Sequence, residues 1–356
     1  MLAIAKTAPE FGVEIIEADR PNAIPGHIVI QVATAAICGG DLKIYRWDKE
    51  KMKKWSRLKT FDFPRILGHE ISGTVLEVGD EVEGYSPGDR VAIESHFSCG
   101  RCAFCLTGRP HLCEYDKLVG IGMDGGFAEY VVLPARVAVK VPPEINWEQA
   151  ALLEPLGVSM HAIEVSHLKI GDHVAVIGCG PIGLYAAILA RSAGASRIVM
   201  SDISEARVTL ANDLGFHAVL HDDTDAATVV KMREALGGNG AEVVLDAAGA
   251  ASSVRQSVSV AATSGRVILI GTFRGEGSLD TSTHIVHREV TVTGISGRFL
   301  YQTWNRLINV VSSGIVDPLL AVTHRLPLSN GVEAFKIANQ GEAGKILLYP
   351  PDSPSR

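Results

Sequence analysis

Two rhythms of apolar and polar positions divide the chain. From residue 1 to about 156 the apolar residues come in short runs, some alternating with polar ones, closed by turn residues. Ile28-Val-Ile-Gln-Val-Ala33, Ser72 to Gly79, Gly88 to Ile93 and Ala128 to Leu133 read as strands, which predicts a small β-rich domain with long loops. From about 157 to 294 short apolar strands alternate with helical stretches. Strands are expected at 173–177, 197–201, 217–220, 242–246, 266–270 and 290–294, with helices between the first five. That alternation implies an α/β domain with a doubly wound parallel sheet. The tail, 295–356, holds amphipathic helices around Thr303 to Ser313 and Val332 to Asn339, then a last strand, Lys345 to Tyr349. A strand so late in the chain needs a sheet to join. It is expected to return to the first domain and make that domain discontinuous. The lysine-rich insert Trp47 to Lys59 reads as a solvated surface loop, with a cover over some site as the alternative.

The strongest local pattern is Val174-Ala-Val-Ile-Gly178-Cys-Gly180-Pro181-Ile182-Gly183, followed by helical Leu184 to Ala193 and by Ile198 to Asp202. Gly178 allows a tight turn, Gly180 lets the backbone approach a pyrophosphate, and Gly183 lets the helix pack on the strand. The helix opening at Pro181 and Ile182 offers that anion free N–H groups and the positive end of its dipole. A glycine turn alone can serve packing. Here strand, helix and acid all stand in the expected places, so a dinucleotide is the better reading. Asp202 can accept both ribose hydroxyls of NAD and would repel the 2′-phosphate of NADP. Arg207 is either a further cofactor contact or a helix-face arginine. Ala247, Ile270, Gly271 and Ser296 follow later strands, where such sheets bind ligands, and are candidates to line the nicotinamide half.

Composition narrows the class. A chain of 356 residues exceeds the usual size of one core, so two domains are expected. A formal charge of −7 argues against nucleic acid or an acidic membrane surface as the main partner. Glycines, Pro181 and Arg191 interrupt the longest apolar stretch, so no membrane-spanning helix is expected. Met1 to Ile16 lacks the apolar core of a signal peptide. The expectation is therefore a cytoplasmic protein, where clustered cysteines point to metal more than to disulfides.

Cys99-x2-Cys102-x2-Cys105-x7-Cys113 is such a cluster. Four thiolates make a closed tetrahedral zinc site with no open position, which is structural in kind. No recognition helix or basic face accompanies it, which argues against a DNA-binding finger. A second set is scattered: Cys38 in Ile37-Cys-Gly-Gly-Asp41, His69-Glu70 in an expected loop after Gly68, and Glu154 before Pro155. Thiolate, imidazole and carboxylate suit zinc and leave a position for a water or a hydroxyl. Taken singly, Cys38 reads as a core thiol and His69 as a packed histidine. Their combination with a dinucleotide domain lifts them.

With these motifs in this order, the chain resembles the zinc-containing medium-chain dehydrogenase/reductase (alcohol dehydrogenase) family over essentially its whole length. The resemblance implies a GroES-like catalytic domain at 1–156, completed by 295–356, a Rossmann NAD-binding domain at 157–294, and a cleft between them. It implies one catalytic zinc on Cys38, His69 and an acid, Glu70 or Glu154, with Asp41 supporting the ligands, and one structural zinc on the cysteine lobe. Two branches compete. Gly294-Ile-Ser-Gly-Arg298, Thr303-Trp304, Ile44 to Asp48 and His96 resemble L-threonine 3-dehydrogenases. Glu154-Pro-Leu-Gly-Val-Ser-Met-His161 instead resembles sorbitol- and erythritol-type polyol dehydrogenases. Arg298 would hold a carboxylate or hydroxyls, or form a subunit contact.

One departure matters. Where the family usually has serine or threonine two residues after the zinc cysteine, this chain has Gly40, and Lys43 replaces a common histidine. The alcohol proton then leaves through water, His96 or Lys43, or the substrate supplies its own hydroxyl. The expected activity is NAD-linked oxidation of a secondary hydroxyl on a small polyol or threonine-like substrate, by a homotetramer or homodimer. The alternative is a catalytically silent NAD- and zinc-binding sensor or scaffold of the same fold, for which Gly40 is the support.

Overall fold

The structure is a computed structural model that describes residues 1–47, 61–221, 224–271, 278–351 and 353. The lysine-rich insert beyond Trp47 lies outside the described residues, and so does Thr272, which follows Gly271. Two compact units emerge: Met1–Pro155 with Phe299–Gly341 and Lys345–Arg356, and Leu156–Arg298 with Glu342–Gly344. Among the described residues no helix is long and apolar enough to cross a membrane.

The first unit is built on a seven-stranded sheet centred on the strand His27–Ala36. Glu70–Val78 and Tyr130–Pro134 pair with that strand antiparallel, and so does the last strand, Lys345–Tyr349. The last strand therefore joins a sheet whose other central strands come from the first 134 residues. The register decides what meets there: Ala36 stands opposite Glu70 on one side and opposite Leu347 on the other. Directly opposed residues share a face, and alternate residues along a strand share it too. Cys38, Glu70 and Lys345 are thus brought to one face at one end of the sheet. Glu70, expected in a loop, opens the strand Glu70–Val78.

The helix Trp147–Ser166 covers that face. Leu152 packs against Ala36 and Leu347. Its N-terminus is pinned by Ser72 Oγ, which donates to the Trp147 carbonyl at 2.6 Å, and by Arg325 and Tyr349, which both donate to Glu148. Pro155 lies inside this helix, removing one ladder hydrogen bond. Burial overrides it: Ala150, Ala151, Leu152, Leu153 and Leu156 are fully buried. Separately, the hairpin of His96–Phe97 with Lys117–Leu118 flanks the cysteine lobe.

The second unit is an open parallel sheet of six strands. Their spatial order is His217–Leu220, Arg197–Asp202, His173–Ile177, Ala241–Asp246, Ala261–Leu269, Thr291–Gly294. The first strand in sequence therefore lies inside, flanked by the second and the fourth. The direction of winding reverses between them, and a crevice opens at their carboxyl ends. Ala175, Ile177, Val199, Val244 and Val267 form the core with helix residues such as Met232 and Val258.

Candidate active site and metal centres

The four cysteines of the lobe converge without forming disulfides. Cys102 Sγ lies 3.5 Å from Cys105 Sγ and 3.9 Å from Cys113 Sγ, and Cys99 Sγ lies 4.0 Å from Cys105 Sγ. Four sulfurs each about 2.3 Å from one tetrahedral zinc would be about 3.8 Å apart. The lobe fits the ion. Backbone N–H groups of Cys99, Cys102 and Tyr115 donate to Cys113, Cys99 and Cys113 in turn, as stabilised thiolates require. Such donation, first from the Cys105 backbone, lowers the Cys102 thiol to about 6, whereas burial raises Cys113 to about 12.

The second centre starts from Cys38, which caps the helix Gly39–Arg46. Its sulfur accepts from Gly40 N at 3.4 Å, while the Asp41 carboxylate accepts from Cys38 N at 2.9 Å. Ligand atoms of Cys38, His69 and Glu70 all lie within 4.8 Å of one another. Behind His69, its Nδ1 lies 3.6 Å from Asp41 Oδ1. Both atoms are buried and neither makes a hydrogen bond. Asp41 thus stands behind the ring as a nearby charge rather than a hydrogen-bond partner.

Glu70 and Glu154 are buried in the same cluster, with Glu154 acting electrostatically on Asp41, His69 and Glu70. Burial pushes the Asp41 and Glu70 carboxyls up. For His69, burial opposes the charge, but Asp41 and Cys38 outweigh it and hold its pKa well above the usual value. Cys38, Asp41, Glu70 and Glu154 gather beside His69 and the buried Lys345, a thiol, an imidazole and carboxylates brought to one place. The donor set fits zinc.

In the second unit the glycine turn forms a cradle. Gly178 has φ +100°, and a β-carbon on Gly183 would stand 1.8 Å from the Gly178 carbonyl oxygen, so the close packing demands glycine. The helix Pro181–Ser192 begins directly after Gly180. Asp202 Oδ2 accepts from Cys179 N at 2.7 Å and Oδ1 from Ser204 N at 2.9 Å, which fixes the carboxylate beside the turn. A cavity of about 240 Å³ opens there, lined by Gly178, Gly180, Asp202, Arg207, His221 and Ala247 among others. Arg207 Nε is buried without a hydrogen-bond partner, a donor free for a bound anion or ribose. The cradle fits a dinucleotide.

Other candidates fall elsewhere. Pro181, Ile182 and Gly183 form the helix start rather than the cavity wall. Ile270, Gly271 and Ser296 do not line this cavity; Ile270 N and Gly271 N donate to the Asp246 carbonyl. His96 belongs to a second buried network: its Nδ1 lies 3.0 Å from Glu94 Oε1, and Glu94 also accepts from Trp304 Nε1 at 2.7 Å. Lys43 is half-buried on the Cys38 helix, its carbonyl closing the helix end through Trp47 N. Arg298 is buried, next to Gly297, whose carbonyl accepts from His161 Nδ1 at 3.0 Å. Sequence reasoning missed Lys345, and in the cavity Ser201, His221, Ser253 and Gln256. Ser201 closes an expected strand and His221 follows one, so both carried a usable signal.

Comparison with known proteins agrees with both halves of this geometry. The chain matches the alcohol dehydrogenase GroES-like domain over residues 24–143 and the zinc-binding dehydrogenase model over residues 181–313. An L-threonine 3-dehydrogenase of Bacillus velezensis is 37% identical over 351 residues, covering 98% of this chain and 99% of its own. The 2R,3R-butanediol dehydrogenase structure from Bacillus subtilis superposes with TM-score 0.86 at 29% identity, covering 98% of this chain and 99% of that one. A Sinorhizobium meliloti protein described as a zinc-binding dehydrogenase, solved with NADP, gives TM-score 0.87 at 28% identity, covering 98% and 99%.

Proposed function

The chain belongs to the zinc-containing medium-chain dehydrogenase/reductase family, and from that premise we propose that it oxidises a secondary hydroxyl of a small polyol or threonine-like substrate, reversibly, with NAD. At the coarser level it is an alcohol-type oxidoreductase. The observation that carries the finer reading is the convergence of Cys38, His69 and Glu70 ligand atoms within 4.8 Å. Cys38, His69 and one carboxylate hold a catalytic zinc, and Cys99, Cys102, Cys105 and Cys113 hold a structural one. Zinc supplies a Lewis acid that lowers the pKa of a held hydroxyl, and NAD supplies the hydride acceptor. Asp41 supports His69 as a ligand from behind the ring, 3.6 Å from its Nδ1. Gly180 and the helix start at Pro181 receive the pyrophosphate, and Asp202 takes the ribose hydroxyls.

The working assembly is a homodimer or homotetramer, and the substrate is a free small molecule. An L-threonine 3-dehydrogenase and a butanediol dehydrogenase among the relatives support an amino alcohol or a diol alike. The test follows NADH absorbance with NAD⁺ and L-threonine, erythritol, sorbitol, xylitol or 2,3-butanediol, with and without a zinc chelator. Chelator-sensitive turnover of one group is expected, and Cys38→Ala or His69→Ala abolishes it while leaving NADH binding intact. Wild-type turnover in either variant removes the catalytic-zinc assignment. Silence across the panel favours the sensor reading, which Gly40 supports.

A further inference from the structure

Three neighbouring strands of the second unit end side by side: His173–Ile177 before Gly178, Arg197–Asp202, and His217–Leu220 before His221. Asp202 stands beside Leu220 in the ladder, and the His221 N–H donates to the Asp202 carbonyl at 2.8 Å. Gly178, Asp202 and His221 all line the same cavity of about 240 Å³. With the pyrophosphate at the glycine turn and the ribose at Asp202, the base falls one strand further on, at His221.

The other polar groups of the wall are committed or cannot choose between bases. Gln256 Nε2 donates to Ser201 Oγ at 2.9 Å, and Ser253 Oγ donates to Asp246 Oδ1 at 3.0 Å. The Ser252 hydroxyl can donate or accept, so it suits either kind of base edge. Arg207 stands at the phosphate side, since a β-carbon on Gly180 would lie 3.5 Å from its Nη1. Ile203 lines the cavity while 83% exposed, an apolar plate for a flat ring.

The His221 ring is set from behind. Its Nε2 lies 3.0 Å from Asp225 Oδ1, and Arg255 Nη2 donates to Oδ2 of the same carboxylate at 3.1 Å. A carboxylate only accepts, so Nε2 carries the proton and Nδ1 of the neutral ring carries the lone pair. The 6-amino group of adenine is a donor, whereas hypoxanthine has an acceptor oxygen at that position.

We propose that His221, its tautomer fixed by Asp225, accepts a hydrogen bond from the 6-amino group of the cofactor's adenine and makes the site select adenine over hypoxanthine dinucleotides. The inference rests on the reading of the glycine turn and Asp202 as an NAD site. His221 is the specificity residue and Asp225 its positioning residue. Against hypoxanthine the ring would set acceptor against acceptor, a polar mismatch that costs affinity.

The experiment titrates the full chain with NADH and with reduced nicotinamide hypoxanthine dinucleotide, following nicotinamide fluorescence at about pH 8, the neutral side of histidine's ordinary range. Wild type is expected to bind NADH about tenfold more tightly. In His221→Leu, NADH binding weakens and the preference disappears. Asp225→Asn lets the imidazole take its other tautomer and offer an N–H to the oxygen, so the preference shrinks through tighter binding of the hypoxanthine cofactor. A merely structural role for Asp225 would weaken both cofactors alike and leave their ratio unchanged, which overturns the positioning role. Equal affinities in wild type overturn the proposal, and so does a preference that survives in His221→Leu. Should His221→Leu not fold, His221→Gln takes its place: its amide can turn oxygen or nitrogen to the base, so a preference kept at the wild-type level overturns the proposal and its loss supports it. A wild-type chain that binds neither cofactor fails the NAD reading and this one together, whereas NADH binding without discrimination fails this one only.

Discussion

A hydroxyl returned to position 40 is expected to release activity on simple secondary alcohols. Gly40 is the second residue of the helix that Cys38 caps. Beyond its own chain neighbours and helix, a β-carbon there would meet His69 Cε1 at 3.7 Å and Cys38 Sγ at 3.8 Å. Both are ordinary van der Waals distances, so serine enters without overlap and its oxygen reaches the space beside the proposed ligands. The backbone does not oppose it, since serine and alanine suit a helix better than glycine by up to about 1 kcal/mol. A positioned acid–base group contributes about 10²–10⁴-fold to a rate. A hydroxyl in surroundings not shaped for it should recover only part, about tenfold or ~1.4 kcal/mol of barrier. The assay compares wild type, Gly40→Ser and Gly40→Ala by NADH formation from 2-butanol and from 2,3-butanediol across pH. Gly40→Ser should gain on 2-butanol, where the substrate has no second hydroxyl, and change little on the diol. Gly40→Ala controls for shape. Equal rates for the serine and alanine variants on both substrates would refute the relay argument.

Two further outcomes follow from the geometry. Cys105→Ala opens the tetrahedron of the lobe, so zinc should fall from about two to about one per chain by metal analysis, with a lower melting temperature. An undiminished zinc content would deny the lobe an ion. Asp202→Ser removes the carboxylate that repels a 2′-phosphate, so the ratio of kcat/KM for NADP to that for NAD should rise about tenfold or more, ~1.4 kcal/mol. An unchanged ratio would mean that Asp202 serves only to hold the turn through Cys179 N and Ser204 N.

The parallel sheet was the most legible part of the sequence because its strands are buried on both faces and its glycines sit where the backbone needs them. The strands at His173–Ile177 and His217–Leu220 have the expected bounds. Ala261–Leu269 instead begins five residues before the expected 266, since Thr263-Ser-Gly265 reads as a turn. The strand runs through it with Ser264 at φ +57°, where the ladder shifts register. Val322–Pro327 was not legible: a histidine, an arginine and a proline in six residues give no strand pattern, and pairing with Lys345–Tyr349 supplies its order.

The site divides along the same physical line. Donor types are local facts: a cysteine capping a helix, a histidine before a glutamate, and four spaced thiols advertise a metal without any fold. Which donor is free to bind is not local. Glu70 and Lys345 stand 275 positions apart, and only the two-sided register at Ala36 joins them. A lysine at the head of the apolar run Lys345-Ile-Leu-Leu-Tyr349 reads as a snorkelling strand end. In the folded chain the run carries that charge inward, because its apolar neighbours must face Ala36 and Leu152. A charge committed to the interior must find a counter-charge there. In this chain the counter-charge is Glu70, one of the two acids that the family resemblance offers to the metal.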